Sequence, residues 1–357
     1  MKQRVTYHDQ TDAKNILRLR EILKELPPFA KDYFRGIDTT TSTRTRISYA
    51  YDIKVFFQFL RENNPIYKTF ELTDFRLSDL DKVTPQDLIE YMEYLKLYHV
   101  KENEAVGNKP VRNGERALKR KMSALRSFYA FFYKHEMISK NPTLLVDMPK
   151  IHEKAIVRLD AGETAALLDY IENCGSSLKG QEAVYFKKTK ERDLALVTLL
   201  LGTGIRVSEC VGLDIEDVDF RNDRIKVVRK GGNEAYVYFG DEVEAALKRY
   251  LVVRDGIQPA PGHEHALFYS TQRRRMSVRS VENLVEKYAS HVTTTKHITP
   301  HKLRSTYGTA LYRETGDIYL VADVLGHKNV DTTRRHYAAM DDDRRRSAAS
   351  AVHLRKD

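Results

Sequence analysis

Lys187–Glu209 reads KKTKERDLALVTLLLGTGIRVSE: a basic lead-in, an apolar run, a Gly-Thr-Gly turn, and then Arg206 with Glu209 three residues on. The side chains from Leu194 to Leu201 predict a strongly apolar helix over Arg192–Leu201. That run is far shorter than the roughly 20 residues a bilayer span needs, so the helix belongs to a protein core. The turn places Arg206 just beyond it, and Glu209 is near enough along the chain to hold Arg206 or a neighbour by hydrogen bonding.

The pattern on either side is also mainly helical. Two short runs rich in Val, Ile and Tyr, Arg224–Arg229 and Ala235–Phe239, flank Gly231 and Gly232 and predict a β-hairpin with Lys230 at its tip. Beyond Asp241 the pattern is helical, with one short strand expected at Ala266–Tyr269. Thr299 and Pro300 open a helix on which His301 and Arg304, three residues apart, share a face, and Gly326 ends another just before His327. Upstream, Asp160 and Glu163 make a capping-box pattern ahead of Ala165, Leu167, Leu168 and Ile171. The fold class is therefore mainly α with a small antiparallel β-sheet in the C-terminal domain.

A chain of 357 residues suits two domains. The first is expected at 1–148, a linker at 149–156 around the Pro-containing MPKIHEKA (Met148–Ala155), and the second at 157–357. In the first, Ser42 or Thr43 caps a helix marked by Ile47, Tyr51, Val55, Phe56, Phe59 and Leu60, stopped by Asn63-Asn64-Pro65. Thr84 and Pro85, with Asp87 in the first turn, start another. After a Gly/Asn/Pro-rich loop at Gly107–Gly114, Arg116–His135 predicts a helix with two faces. Met122, Leu125, Phe128, Tyr129 and Phe132 form the core side. Lys119, Arg120, Lys121 and Arg126 form a basic one, which is either a solvated surface or a track of phosphate contacts with Arg44, Arg46, Arg112 and Arg116 near helix starts.

Sixty Lys and Arg against 50 Asp and Glu give a formal charge of +10, which points to a polyanion or an acidic membrane surface. Cys174 and Cys210, with no CxxC pair, argue against a disulfide framework or a zinc site and fit a reducing cytosol. MKQRVTYHDQTD lacks the apolar core of a signal peptide, so a soluble, cytoplasmic protein is expected.

Arg206, Lys230, His301, Arg304, His327 and Tyr337 together suit the cutting of a phosphodiester by a tyrosine without a metal. Two guanidinium groups, Arg206 and Arg304, can offer planar forks to the non-bridging oxygens and keep their charge at neutral pH. His301 and His327 can donate to the phosphate or move a proton. A phenol such as that of Tyr337 is a weak attacker but a good leaving group, so its ester is reversible. Lys230 can protonate the departing sugar oxygen.

In order and spacing, GTGIRVSE, RKGG, HKLR and LGH resemble the tyrosine recombinase family over nearly the whole chain. KKTKERDLALVTLLLGTGIRVSE, LPPFAKDYF and YDIKVFFQFL are most similar to its Xer members, in particular the longer XerS type that works alone. The resemblance implies a two-domain clamp: an N-terminal core-binding domain and a C-terminal catalytic domain around double-stranded DNA. It also implies a homotetramer on two sites, strand exchange through a Holliday junction, and no metal or nucleotide cofactor. For Xer members it implies chromosome-dimer resolution with a septal DNA translocase as partner. One departure stands out: the family nucleophile commonly sits nine positions after the LGH histidine, which is His336 here, and Tyr337 sits at ten, a spacing also found among transposon integrases. Past it, DDDRRRSAASAVHLRKD (341–357) is either a short helix that docks on a neighbouring subunit or a frayed tail. The rival readings are an integrase or resolvase of a mobile element, a non-catalytic DNA-binding protein on this scaffold, and a type IB topoisomerase.

Overall fold

The computed structural model describes residues 6–101, 108–152, 156–176, 178–229, 231–327 and 329–330, and the chain divides into two units, Met1–Lys154 and Ala155–Asp357.

The first unit begins with α1 (Tyr7–Lys24) and α2 (Ala30–Gly36), neither of which the periodicity reveals. α1 buries only Leu19 and Ile22, too narrow an apolar stripe to stand out. α3 (Thr43–Asn63) is capped by Ser42, whose hydroxyl accepts the Thr45 N–H, while Thr43 is buried and accepts a bond from Arg46. After the short α4 (Leu77–Leu80), α5 (Pro85–Lys96) opens with the expected cap, Thr84 and Asp87 bonding reciprocally. α6 (Glu115–Lys134) turns Met122, Leu125, Phe128, Tyr129 and Phe132 into the core as predicted. There they meet Phe56, Phe57 and Tyr91, with edge-to-face rings such as Phe56–Tyr91 at 5.2 Å.

Two expectations fail in this unit. The stretch expected as a loop contains a strand: β1 (Leu97–Lys101) and β2 (Asn108–Arg112) pair antiparallel, Leu97 opposite Arg112 and Tyr98 opposite Val111, so sheet is not confined to the second unit. Asn108 and Pro110 are poor strand formers, but in a two-stranded ribbon both strands are edges, where proline's missing N–H is tolerated. The basic face of α6 is also smaller than predicted. Lys121 is buried and donates to Asp52 at 3.1 Å, and Arg126 bonds the carbonyls of Thr143 and Val146. Arg120 also pairs with Asp52, whose carboxyl is pushed up by burial against the pull of Lys121 and Arg120.

The second unit is built around one helix. α7 (Ala161–Asn173) carries the predicted Asp160–Glu163 capping box, and α8 (Gly180–Thr203) packs against it. α8 starts a dozen residues earlier than expected, because the apolar run marks only its buried part. Leu194–Leu201 are covered, and Arg192, Asp193 and the Tyr288 hydroxyl form a buried polar knot where that part begins. α9 (Val207–Gly212) follows, then a three-stranded antiparallel sheet in the order β3 (Val218–Asp219), β4 (Arg224–Val228), β5 (Glu234–Tyr238). The predicted hairpin is β4–β5, with Ile225 opposite Val237; β3 is too short to leave a sequence pattern. α10 (Asp241–Asp255), α11 (Val278–Ala289), α12 (Pro300–Thr315) and α13 (Ile318–Leu325) follow among the described residues, α10 and α12 packing on α8.

The strand expected at Ala266–Tyr269 is absent; isolated bridges at Ala266 and Tyr269 take its place. The buried guanidinium of Arg254 collects the carbonyls of Ala266 and Leu267, and the Tyr269 N–H donates to the Tyr250 hydroxyl, so side chains take what a ladder would use. Among the described residues no helix is long and apolar enough to cross a membrane.

Candidate active site

Four predicted catalytic residues, Arg206, His301, Arg304 and His327, and the supporting Glu209 fall on described residues; Lys230, Tyr337 and the segment 341–357 lie outside them. The site forms where α8 ends, α9 and α12 begin, and α13 ends. α8 stops at Gly204, which adopts φ +61°, the left-handed conformation that glycine takes without strain. Two residues on, Arg206 caps α9. Its backbone N–H donates to Glu209 Oε2 at 2.8 Å, and its Nη1 to Glu209 Oε1 at 2.7 Å. Glu209 is buried, so this one carboxylate fixes both the start of the helix and the direction of the guanidinium. Arg275 secures the other end of α9 through the carbonyls of Val211 and Leu213.

Arg304, in the second turn of α12, is 4% exposed, and its Nη1 donates to the Gly204 carbonyl at 2.5 Å and its Nη2 to that of Leu325. Arg206 Nη2 donates to the carbonyl of Gly326 at 3.1 Å, the residue after Leu325. The two guanidinium groups, 98 positions apart in sequence, are therefore anchored on consecutive carbonyls at the end of α13. Gly326 has φ +60° and donates to Asp323, and the His327 N–H donates back to the Ala322 carbonyl at 2.8 Å, which turns His327 out of the helix end. The side chain of Arg206 is 34% exposed, so it keeps a solvent-facing side on which an anion can sit.

His301 is exposed and Arg304 buried, although three-residue spacing places them on one side of α12. Spacing fixes angle and leaves depth to the packing: His301 lies one turn nearer the open end.

The sequence reading missed Arg229. Its Nη2 donates to the Val324 carbonyl at 2.9 Å, the residue before Leu325, and burial holds its guanidinium below the usual arginine range, opposed by Glu209 and reinforced by Arg206. The available signal was its place in RKGG, directly before Lys230. A cavity of about 1460 Å³ elsewhere in this unit, between Tyr170, Arg192 and Tyr288, is lined by none of the four described catalytic candidates. Of the predicted DNA-contact residues in the first unit, Arg44, Arg112 and Arg116 are exposed and Lys119 is half-buried; Arg46 pairs with Asp38 and Arg120 with Asp52.

Residues 157–344 match the phage integrase family, and the chain belongs to that family of DNA strand-exchange enzymes. It is similar to tyrosine recombinases of the Xer kind. It is 33% identical to the tyrosine recombinase XerC of Caldanaerobacter subterraneus subsp. tengcongensis, over 89% of this chain and 84% of that protein. It is 30% identical to the tyrosine recombinase XerS of Lactococcus lactis subsp. cremoris, over 90% and 93%. In fold it resembles the XerH site-specific recombinase bound to palindromic difH substrate in a post-cleavage complex (TM-score 0.58, 20% identity, 86% of this chain and 79% of that one). It also resembles the Tn1549 transposon integrase in complex with transposon right end DNA (TM-score 0.59, 19% identity, 84% and 99%). The mainly helical architecture with small antiparallel sheets is that of the tyrosine recombinases.

Proposed function

We propose that this protein is a site-specific recombinase that cuts and rejoins double-stranded DNA through a covalent 3′-phosphotyrosine at Tyr337. The phenolic oxygen attacks the scissile phosphorus and gives up its proton to His301 as the new ester bond forms, the bond to the 5′ oxygen breaks, and Lys230 supplies the proton that the departing oxygen takes up. Arg206 and Arg304 hold the non-bridging oxygens as charge builds up, and His301 and His327 add hydrogen bonds. Religation is the reverse reaction, with the bond energy kept in the phosphotyrosine. What carries this reading is the anchoring of Arg206 and Arg304 on neighbouring carbonyls of one helix end, with Glu209 fixing the first of them. A pair of oriented guanidinium groups beside an exposed histidine suits a phosphodiester better than any neutral ligand.

The first unit then serves as the core-binding domain, meeting phosphates with Arg44, Arg112, Arg116 and Lys119, and with Arg46 and Arg120 through their solvent-facing edges. The second is the catalytic domain, its last segment docking on a neighbouring subunit. The biological task in this reading is resolution of chromosome dimers by a homotetramer on two sites, with a septal DNA translocase as partner. One observation favours a second reading, integration or resolution of a mobile element: the ten-position step from His327 to Tyr337. Sequencing DNA trapped on the enzyme in cells separates the two, a single chromosomal palindrome supporting the first and element ends the second.

Tyr337→Phe tests the chemistry. On a nicked suicide duplex it should abolish the covalent adduct while leaving gel-shift affinity nearly unchanged, because only the phenolic oxygen is lost. An adduct that persists in this variant refutes the assignment.

A further inference from the structure

We propose that Arg229 is a positioning residue for the leaving-group step, tying the β4–β5 turn to the end of α13; this rests on the assignment of Lys230 as leaving-group acid made above. β4 ends at Val228 and β5 begins at Glu234. Between them the Arg229 N–H donates to the Asn233 carbonyl at 2.7 Å, and the Gly232 N–H donates to the Arg229 carbonyl at 3.0 Å. Gly231 and Gly232 have φ +99° and +85°, with open space where a Cβ would stand. The turn is therefore closed at Arg229 by two backbone bonds.

The side chain of Arg229 reaches away from the turn to α13. Besides its bond to the Val324 carbonyl, the guanidinium lies so close to Gly326 that a Cβ there would stand 2.1 Å from Nη1. One residue thus links the turn that bears Lys230 to the helix end that holds Arg206 and Arg304 and that leads into His327. A strut serving stability alone would pair its donors, yet among the described residues Nε and Nη1 of Arg229 are buried without a hydrogen-bond partner. An apolar side chain of similar volume would fill that space at lower cost. A long cationic side chain, however, can both reach the Val324 carbonyl from the turn and add positive charge beside Arg206. Tying the residue next to Lys230 to the helix end that carries Arg206 and Arg304 is what a positioning role requires.

Single-turnover cleavage of a nicked suicide duplex, made with the native scissile phosphate and again with sulfur replacing the 5′ bridging oxygen, tests this. A thiolate leaves without being protonated, so a defect in the leaving-group acid disappears on the sulfur substrate. Arg229→Gln should slow native cleavage about 10-fold or more, part of the roughly 10²–10⁴-fold contribution of a general acid, and should recover to the wild-type rate on the sulfur substrate. Arg229→Lys, which keeps a donor for Val324, should fall between. Lys230→Ala on the same pair of substrates reads the underlying assignment. If it stays slow with sulfur, Lys230 is not the acid and the inference fails with it. If Lys230→Ala recovers and Arg229→Gln does not, or Arg229→Gln cleaves native DNA at the wild-type rate, only the inference fails. Binding of the intact duplex reports folding; should Arg229→Gln not bind, equal slowing of Arg229→Lys on both substrates overturns the proposal.

Discussion

Gly204→Ala tests how closely the arginine cradle is built. Gly204 has φ +61°, and an L side chain in that conformation costs about 1 kcal/mol. A Cβ would also stand 2.4 Å from Cδ1 of Tyr307 and 2.9 Å from Cδ2 of Leu325. The first is a ring on α12 and the second a buried side chain on α13, so neither can swing clear. Overpacking of this kind costs about 1–3 kcal/mol, giving a total loss of about 2–4 kcal/mol. The functional effect should be larger than stability alone implies, because the carbonyls of Gly204 and Leu325 are both acceptors for Arg304, and the strain moves them apart. The assay is urea denaturation followed by far-ultraviolet circular dichroism, with single-turnover suicide-substrate cleavage at a temperature where the variant remains folded. Gly162→Ala, on the exposed first turn of α7 with its nearest contact at 3.4 Å, is the control and should be neutral or stabilising. An unchanged midpoint together with wild-type cleavage in Gly204→Ala would show that the cradle is not packed as described.

Two further outcomes are expected. Glu209→Gln keeps the size of the side chain but loses its charge and one of two acceptor positions for Arg206. Because Arg206 is one-third exposed, the stability loss should be only about 1–2 kcal/mol, while cleavage slows with DNA affinity nearly intact; wild-type cleavage would remove Glu209 from the site. Cys210 is fully covered and burial pushes its thiol up to about 12, so at pH 8 only about one molecule in 10⁴ carries a thiolate. Folding favours the protonated form, so this contribution is complete below the ordinary thiol range near 9 and fades as pH rises toward 12. Iodoacetamide should spare Cys210 in the native protein and label it in urea, and stoichiometric native labelling at pH 8 would contradict the structure.

What could be read from sequence was what is set locally. Helix starts whose caps lie within three residues, Ser42, Thr84–Asp87 and Asp160–Glu163, are legible because both partners of each bond are neighbours. The apolar run Leu194–Leu201 identified the core helix, but its upstream half is polar and gave no signal. Elements held together by distant side chains stayed hidden. Ala266–Tyr269 has the composition of a strand, yet Arg254 and Tyr250 take its backbone groups. β1–β2 contains Asn108 and Pro110 and is legible only once Tyr98, buried against the core, is seen to pin it. Residue types and order singled out Arg206, Glu209 and Arg304, which the fold brings together. What each bonds to was not legible, since the acceptors are main-chain carbonyls, which every sequence possesses. Arg229 was hidden for the same reason.

Those carbonyls explain why the cations can converge at all. Arg229, Arg304 and Arg206 bond in turn to Val324, Leu325 and Gly326, the last turn of the eight-residue α13 and its cap. A helix leaves its final carbonyls without internal partners, and they carry the negative end of its dipole, so cations placed there are favoured by roughly 0.3–1 kcal/mol each. Among the described residues, the repulsion among three guanidinium groups is offset by backbone dipoles and the buried carboxylate of Glu209, and an excess of positive charge remains. Because backbone holds the groups in place, the proposed reaction would need little reorganisation as charge develops on a phosphate, which is the condition for strong transition-state stabilisation. The dependence on one helix end also makes the site sensitive as a unit. A one-residue change in the register of α13 would offer all three arginines the wrong carbonyls at once, and the loss should exceed that of any single arginine.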